Sequence, residues 1–242
     1  MRLLNLALLA CAADAAALNA SIVDGVLSIN GAAVGTTTSA ITGVIARYFA
    51  AAAPRPAAAV NLKNSSAGVY SYLTITGAYD ADAAIELVAQ LVLVLDGATF
   101  TVLPAFKAAS NAVISALHAD DSAVVAPGGA ARARVVCPAG GPQPAAVYAG
   151  QSANFVLDGL AVANCGLAGG AAVHIEGLPM VLGGEVANCV ITNASSRAIW
   201  TEKCSRVVRL TRLPRTMLRP PAAAATATLA TLTPNPTRAP RL

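Results

Sequence analysis

Histidine and cysteine are too sparse and too scattered in this chain to outline a metal centre. Only His118 and His174 occur, and no two of the five cysteines form a Cys-x-x-Cys pair. Charged residues are 12% of the chain and aromatic ones 4%, with Trp200 the single tryptophan. No basic patch interleaved with aromatics is present, and no glycine-rich phosphate loop, so no nucleic-acid partner and no cofactor are expected. Long apolar runs are missing too. Mean hydropathy is +0.62 and hydrophobic residues reach 56%, but much of this is alanine, which partitions weakly into membranes. The least polar internal stretch, 153–175, is interrupted by Asn154, Asp158 and Asn164. A spanning helix needs about 18 or more apolar residues in a row, and no internal run reaches that. Acid is absent from the C-terminal end. All twelve acidic residues lie in 1–202 beside eight basic ones, net −4, whereas 203–242 holds the other eight basic residues and no acid, net +8.

The N-terminus reads differently. Arg2 precedes the run Leu3–Ala13, interrupted by Asn5, and Ala15-Ala16-Ala17 follows. A basic start, a short apolar core and an Ala-x-Ala segment make 1–20 a secretory signal peptide, cleaved near Ala17 or Ala20. Once it is removed, no integral membrane segment is expected, and the location is secreted or cell-surface. Sequons stand at Asn19, Asn64 and Asn193. Asn64 and Asn193 lie beyond the signal and are the expected glycosylation sites. Cys11 leaves with the signal. Cys137, Cys165, Cys189 and Cys204 remain, an even number compatible with two disulfides of undetermined pairing.

What the chain does have is repetition. Ala146-Val147-Tyr148-Ala149, Ala172-Val173-His174-Ile175 and Ala198-Ile199-Trp200-Thr201 recur in steps of 26 residues. Val156-Leu157, Val181-Leu182 and Val207-Val208 form a second column, and Asn164-Cys165 with Asn188-Cys189 a third. Columns in phase at about 20–30 residues predict a solenoid, whose repeats bury their faces only against their neighbours.

Residues 21–68 read as an N-terminal cap region. Ser21–Gly31 suggests a strand pair around turn residues. Ile41–Ala53 carries Ile45, Tyr48 and Phe49 at helical spacing before Pro54, predicting a short helix over an open end. The strand rhythm begins at Val69. Leu73 and Ile75 alternate with Tyr72, Thr74 and Thr76, Gly77–Asp82 reads as a turn, and Ile85–Leu87 as a short strand. Leu91–Leu95 reads as a parallel strand covered on both faces, continued by Val124-Val125 and Val135-Val136. Leu95-Asp96-Gly97 is echoed by Leu157-Asp158-Gly159, a pair suited to corners because Gly accepts positive φ.

Asn154–Cys165 resembles one coil of a right-handed parallel β-helix of the pectate-lyase-like superfamily, and Thr76–Phe100 resembles its early coils. The resemblance spans roughly Val69–Leu210 and implies an all-β right-handed parallel β-helix over 69–212. That superfamily holds lyases, hydrolases, adhesins and proteins without known activity. Polygalacturonase-like members carry Asn-Thr-Asp, Asp-Asp, Gly-His-Gly and Arg-Ile-Lys segments. Here only Asp120-Asp121 matches, in an expected loop, and no acid cluster of the calcium-binding lyase type stands out.

In the best-aligned strand, Val147, Val173 and Ile199 should face inward, which turns Tyr148, His174 and Trp200 outward as a ladder. Gly150, Glu176 and Glu202 follow two positions on, on the same side. Aromatics beside carboxylates suit an extracellular polysaccharide, with sugar rings stacked and hydroxyls hydrogen-bonded. The plainer reading is a strand face where aromatics simply favour β structure. Glu176, Glu202 and Asp158 are the weak candidates for acid–base catalysis of the lyase or glycosidase kind. Cys165 and Cys189 are expected to stack as buried small hydrophobes, and Asn164 and Asn188 to form a ladder at a corner.

Residues 213–242 hold Pro214, Pro220, Pro221, Pro234, Pro236 and Pro240 among Ala, Thr and Arg, the composition of a disordered basic tail. Arg206, Arg209, Arg212, Arg215 and Arg219 are helically spaced, but Pro214 interrupts them. The leading expectation is a secreted, non-catalytic module that binds carbohydrate or serves adhesion. The alternatives are a polysaccharide lyase or hydrolase, and a truncated structural fragment.

Overall fold

The computed structural model describes residues 19–23, 26–31, 36–49, 70–131, 133–139, 141–166, 170–176, 185–194, 197–202 and 209–211. The strands and helix, in chain order, begin with β1 (Asn19–Val23), β2 (Val26–Asn30), β3 (Thr36–Thr37) and α1 (Thr38–Tyr48). Then come β4 (Ser71–Thr76), β5 (Ala78–Ala81), β6 (Ile85–Glu86), β7 (Leu91–Leu95), β8 (Thr99–Val102) and β9 (Ala112–Ser115). The series continues with β10 (Ala123–Val125), β11 (Arg134–Val136), β12 (Ala145–Gly150), β13 (Val156–Asp158) and β14 (Ala161–Ala163). It ends with β15 (Ala171–Glu176), β16 (Glu185–Ala187), β17 (Val190–Thr192), β18 (Arg197–Glu202) and β19 (Arg209–Thr211).

From β4 onward the chain visits three sheets in a fixed cycle. Sheet A runs β1-β2-β4-β7-β10-β13-β16-β19, sheet B β17-β14-β11-β8-β5-β3, and sheet C β18-β15-β12-β9-β6. Every pairing is parallel except the β1–β2 hairpin. Each sheet is open, and the arrangement is mostly parallel β, compatible with a parallel β-helix. No described helix is long and apolar enough to cross a membrane.

Register explains the periodicity. Leu73, Leu93, Val124, Leu157 and Val186 are successive partners in sheet A, Tyr79, Phe100, Val135, Val162 and Ile191 in sheet B, and Ile85, Ile114, Val147 and Val173 in sheet C. All are buried and belong to one apolar cluster. Each such side chain contributes about 1.5–3 kcal/mol when withdrawn from water, so the stacked columns are the main source of stability.

Several expectations are corrected here. Gly77–Asp82 is not one turn: Ala78–Ala81 pairs with Thr99–Val102 as β5, which leaves a corner at Gly77 and a bend at Asp82. A φ of +97° at Gly77 makes the corner alone, and a Cβ there would sit 2.6 Å from the Gly31 carbonyl oxygen. Leu95-Asp96-Gly97 does not align with Leu157-Asp158-Gly159. Val94, Val125 and Asp158 share one level instead, which puts Leu95 level with Gly159. The second column is filled by Val186, the partner of Leu157, and then by Leu210, the partner of Val186; Val181-Leu182 and Val207-Val208 lie outside the described residues.

The two Asn-Cys pairs occupy different corners. Asn164 follows β14 whereas Asn188 follows β16, so Cys165 and Cys189 do not stack, and the two asparagines share a left-handed φ rather than a ladder. Cys165 is bonded to Cys137. Cys189 is a free buried thiol, pushed up to about 11 chiefly by burial. Cys204, Asn64, the 1–18 segment and the 212–242 tail lie outside the described residues. Asn193 is exposed at the turn after β17. Strand β1 starts at Asn19, so cleavage near Ala17 leaves it whole and cleavage near Ala20 shortens it.

The expected cap helix exists but starts at Thr38 rather than Ile41, with Ile41, Val44 and Ile45 buried; of the expected span, 50–53 lies outside the described residues. Its start is set by a residue far away in sequence. Asp82 Oδ1 accepts a hydrogen bond from the Ser39 amide at 3.0 Å and Oδ2 one from the Ser39 hydroxyl at 2.7 Å. A carboxylate at a helix N-terminus satisfies an orphan amide and meets the positive end of the dipole. Burial alone would push the Asp82 carboxyl up, but the bonds from Ser39 and Thr38 outweigh it and hold the value below the ordinary one. Asp82→Ala is therefore expected to cost about 1 kcal/mol at neutral pH, the usual worth of a cap. Because the folded value is depressed, the contribution is complete above the unfolded carboxyl value of about 4 and disappears as pH falls through the folded one. Urea titrations of both proteins across that window should converge at acid pH.

Candidate functional site

Sheet C carries the repeated strand, and its register is the expected one. Tyr148 pairs with His174 and His174 with Trp200, while Gly150 pairs with Glu176 and Glu176 with Glu202. Ser115 and Glu86 continue the aromatic column toward the N-terminal end. Val147 and Val173 face inward and are fully buried, so alternation turns Tyr148, His174 and Trp200 to the other side, where all three are half-buried.

The ladder is not uniform. His174 and Trp200 stack with ring centroids 4.6 Å apart and planes 6° from parallel. Tyr148 is 5.2 Å from His174 but tilted by 52°. The tilt has a cause in the next residue but one. Tyr148 lies along its own strand across Gly150, where an added Cβ would come within 2.3 Å of the phenol oxygen. Lying there, the phenol donates to Glu176 Oε2 at 2.9 Å. Burial, then the bond to Glu176, then the negative charges of Glu176 and Glu202 push the phenol up to about 12.

His174 Nε2 stands 3.9 Å from Glu202 Oε2, with the two side chains 20% and 37% exposed. The Arg197 guanidinium lies 4.6 Å from the Trp200 ring centroid. Glu176 and Glu202 are thus side by side on neighbouring strands, about 4.8 Å apart along the sheet, and Glu176 already accepts a phenol. Gly150 and Arg197 are the two parts that sequence reasoning undervalued. The signal for Gly150 was present: it is the small residue in an otherwise acidic column, two places after a tyrosine.

The third catalytic candidate is elsewhere. Asp158 ends β13 in sheet A and accepts from Asn188 Nδ2 at 2.6 Å, so the three acids are not brought together. Asp120 and Asp121 brace a corner, accepting from the Ala153 amide and from Asn154 Nδ2. Among the described residues no three His, Cys, Asp or Glu side chains gather at metal-binding range.

A charge change at Glu176 should be legible at Tyr148. Glu176→Gln removes the carboxylate that disfavours tyrosinate, so the phenol is expected to titrate nearer its ordinary value of about 10. Gly150→Ala is expected to move it the same way by pushing the ring off Glu176. Ultraviolet difference titration against wild type isolates this tyrosine. An unchanged curve in both variants would contradict the contact. The sign for stability follows: a raised phenol value stabilises fully below about pH 10, and the contribution is lost as pH rises through about 12.

No protein-family model, curated protein or solved structure matches this chain.

Proposed function

We propose that the chain is a secreted right-handed parallel β-helix that binds extracellular glycan without cleaving it, through the Tyr148, His174 and Trp200 face of sheet C. The observation that carries this reading is the register itself, which sets three half-buried rings in one column beside a second column ending in Glu176 and Glu202. Rings supply apolar surface for the C–H faces of sugars, and carboxylates accept hydroxyl hydrogen bonds. The Cys137–Cys165 disulfide supports a place in an oxidising compartment.

Trp200 is already covered in part, by His174 and by Arg197. Displacing an exposed guanidinium from an indole costs about 0.5–1 kcal/mol, less than the roughly 1.5–3 kcal/mol that a well-buried apolar contact returns. A sugar can therefore take the place of Arg197. The enzymatic alternative has weaker support, because Asp158 lies on another sheet and Glu176 already holds the Tyr148 phenol. Glycan retention by the full chain, compared with retention by the double variant Trp200→Ala, Tyr148→Ala, tests the reading.

A further inference from the structure

We propose that the free edge of β18 fits a second copy of this chain, strand against strand, and that Arg197 holds this edge shut so that the chain stays monomeric. The two ends of sheet C are finished differently. At the first strand, β6, helix α1 satisfies the edge: the Thr42 hydroxyl accepts from the Glu86 amide at 3.3 Å and donates to the Ala84 carbonyl at 2.7 Å. At the last strand, β18, Arg197–Thr201 have β15 on one side and, among the described residues, no strand on the other. Such an edge presents unpaired N–H and C=O groups in a row, a template for another chain.

Burial marks the edge as open. The inward residues of β15, Val173 and Ile175, are 0% and 1% exposed, whereas their partners Ile199 and Thr201 are half-buried and exposed. Sheet B ends otherwise, since its last inward residue, Ile191, is only 2% exposed. A two-fold antiparallel pairing centred on Ile199 sets Ile199 against its own copy and Arg197 against Thr201, with opposed residues on the same face. The two isoleucines then close one another's core. Stacking in the other sense, last coil on first, is blocked at β6 by α1.

Arg197 stands in the way of that pairing. Its strand partner is Ala171, 3% exposed, and alternation places Arg197 in the inward set with Ile199 and Thr201. Trp200 belongs to the outward set, yet the Arg197 guanidinium lies 4.6 Å from its ring centroid. Because β15 fills one margin of the strand, the side chain reaches that ring across the free one. It therefore lies where the backbone of an incoming strand has to come, held there by a cation–π contact. A charge at an inward position of an edge strand is one of the devices that keep sheet edges apart. In the paired state it would be buried opposite a threonine, not an acid, which adds to the penalty.

Sedimentation equilibrium of the full chain is the test. Wild type should remain monomeric where Arg197→Ala, which restores the alanine of the preceding coil, dimerises with an association constant at least about tenfold larger. Adding Thr201→Lys to Arg197→Ala returns a charge to the inward side of the edge and should restore the monomer. Hydrogen exchange locates the contact: the amides of Arg197–Thr201 should slow with rising concentration in Arg197→Ala and not in wild type. Circular dichroism establishes that the sheets are intact. Arg197→Gln, which drops the charge and keeps the bulk, should shift association in the same direction and takes over if alanine unsettles the strand. A folded variant that sediments as wild type does, both monomeric or both dimeric, would overturn the proposal. So would association that the added lysine leaves intact, or that leaves exchange at these amides unchanged.

Discussion

Phe100→Ala is expected to lower the unfolding free energy by about 3–5 kcal/mol. Phe100 is fully buried in β8, between Tyr79 of β5 and Val135 of β11 in the inward column of sheet B. Its ring packs on Tyr79 with centroids 5.5 Å apart and planes 28° from parallel, an arrangement worth about 0.5–1.5 kcal/mol beyond area burial. Whether the loss reaches the top of the range depends on how far the neighbours collapse into the cavity. Tyr79 cannot follow freely, because its hydroxyl donates to the Thr76 carbonyl at 2.8 Å. The cavity should therefore stay open and the cost be high. A domain is stable by only about 5–15 kcal/mol in total, so this single change removes a large share. Chemical denaturation measures it, with exposed Thr101→Ala on the same strand as the control, expected within about 0.5 kcal/mol of wild type.

Trp200→Ala combined with Tyr148→Ala is expected to abolish glycan retention while leaving the sheets folded. Buried aromatic anchors cost about 2 kcal/mol or more each on truncation, so the pair together should weaken binding by about a thousandfold. The structural cost is smaller. Both rings are half-buried on the outer side of sheet C, while the inward partners Val147 and Val173 remain in place. The single variants separate their roles. Trp200→Ala removes contact area directly, whereas Tyr148→Phe keeps the ring and deletes only the bond to Glu176. A modest effect of Tyr148→Phe beside a large effect of Trp200→Ala would assign the tyrosine to positioning the carboxylate. Unaltered retention by the double variant would remove the face from the account.

How much of this was legible beforehand divides along strand length. The six-residue strands of sheet C repeat at an even step, so Val147, Val173 and Ile199 and the outward column beside them fall in register by counting alone. The three-residue strands of sheets A and B offer too little pattern. Eight residues separate Glu176 from Glu185, but five separate Gly150 from Val156, and a fixed step across those corners lands on the wrong residues. Counting at a fixed step therefore matches Val181-Leu182 to Val156-Leu157, where Glu185-Val186 belongs. It is also why the two Asn-Cys pairs looked alike while serving different corners. The Cys137–Cys165 bond joins the ends of neighbouring sheet B strands, a proximity that only the register reveals. The helix start at Thr38 could not be read locally, since its capping acid, Asp82, is 44 residues away. The tilt of Tyr148 came from a glycine whose meaning depends on a neighbour two places back.

The central claim is that the outer face of sheet C is a glycan-binding surface, and the chain carries its own reporter there in its single tryptophan. The most direct measurement is Trp200 emission of the full chain during titration across a panel of cationic, neutral and acidic polysaccharides. The account predicts a saturable change in intensity and wavelength with at least one of them, reversed by dilution. A folded, β-rich protein whose Trp200 emission responds to none of them would contradict it and leave the aromatic column a feature of the sheet alone.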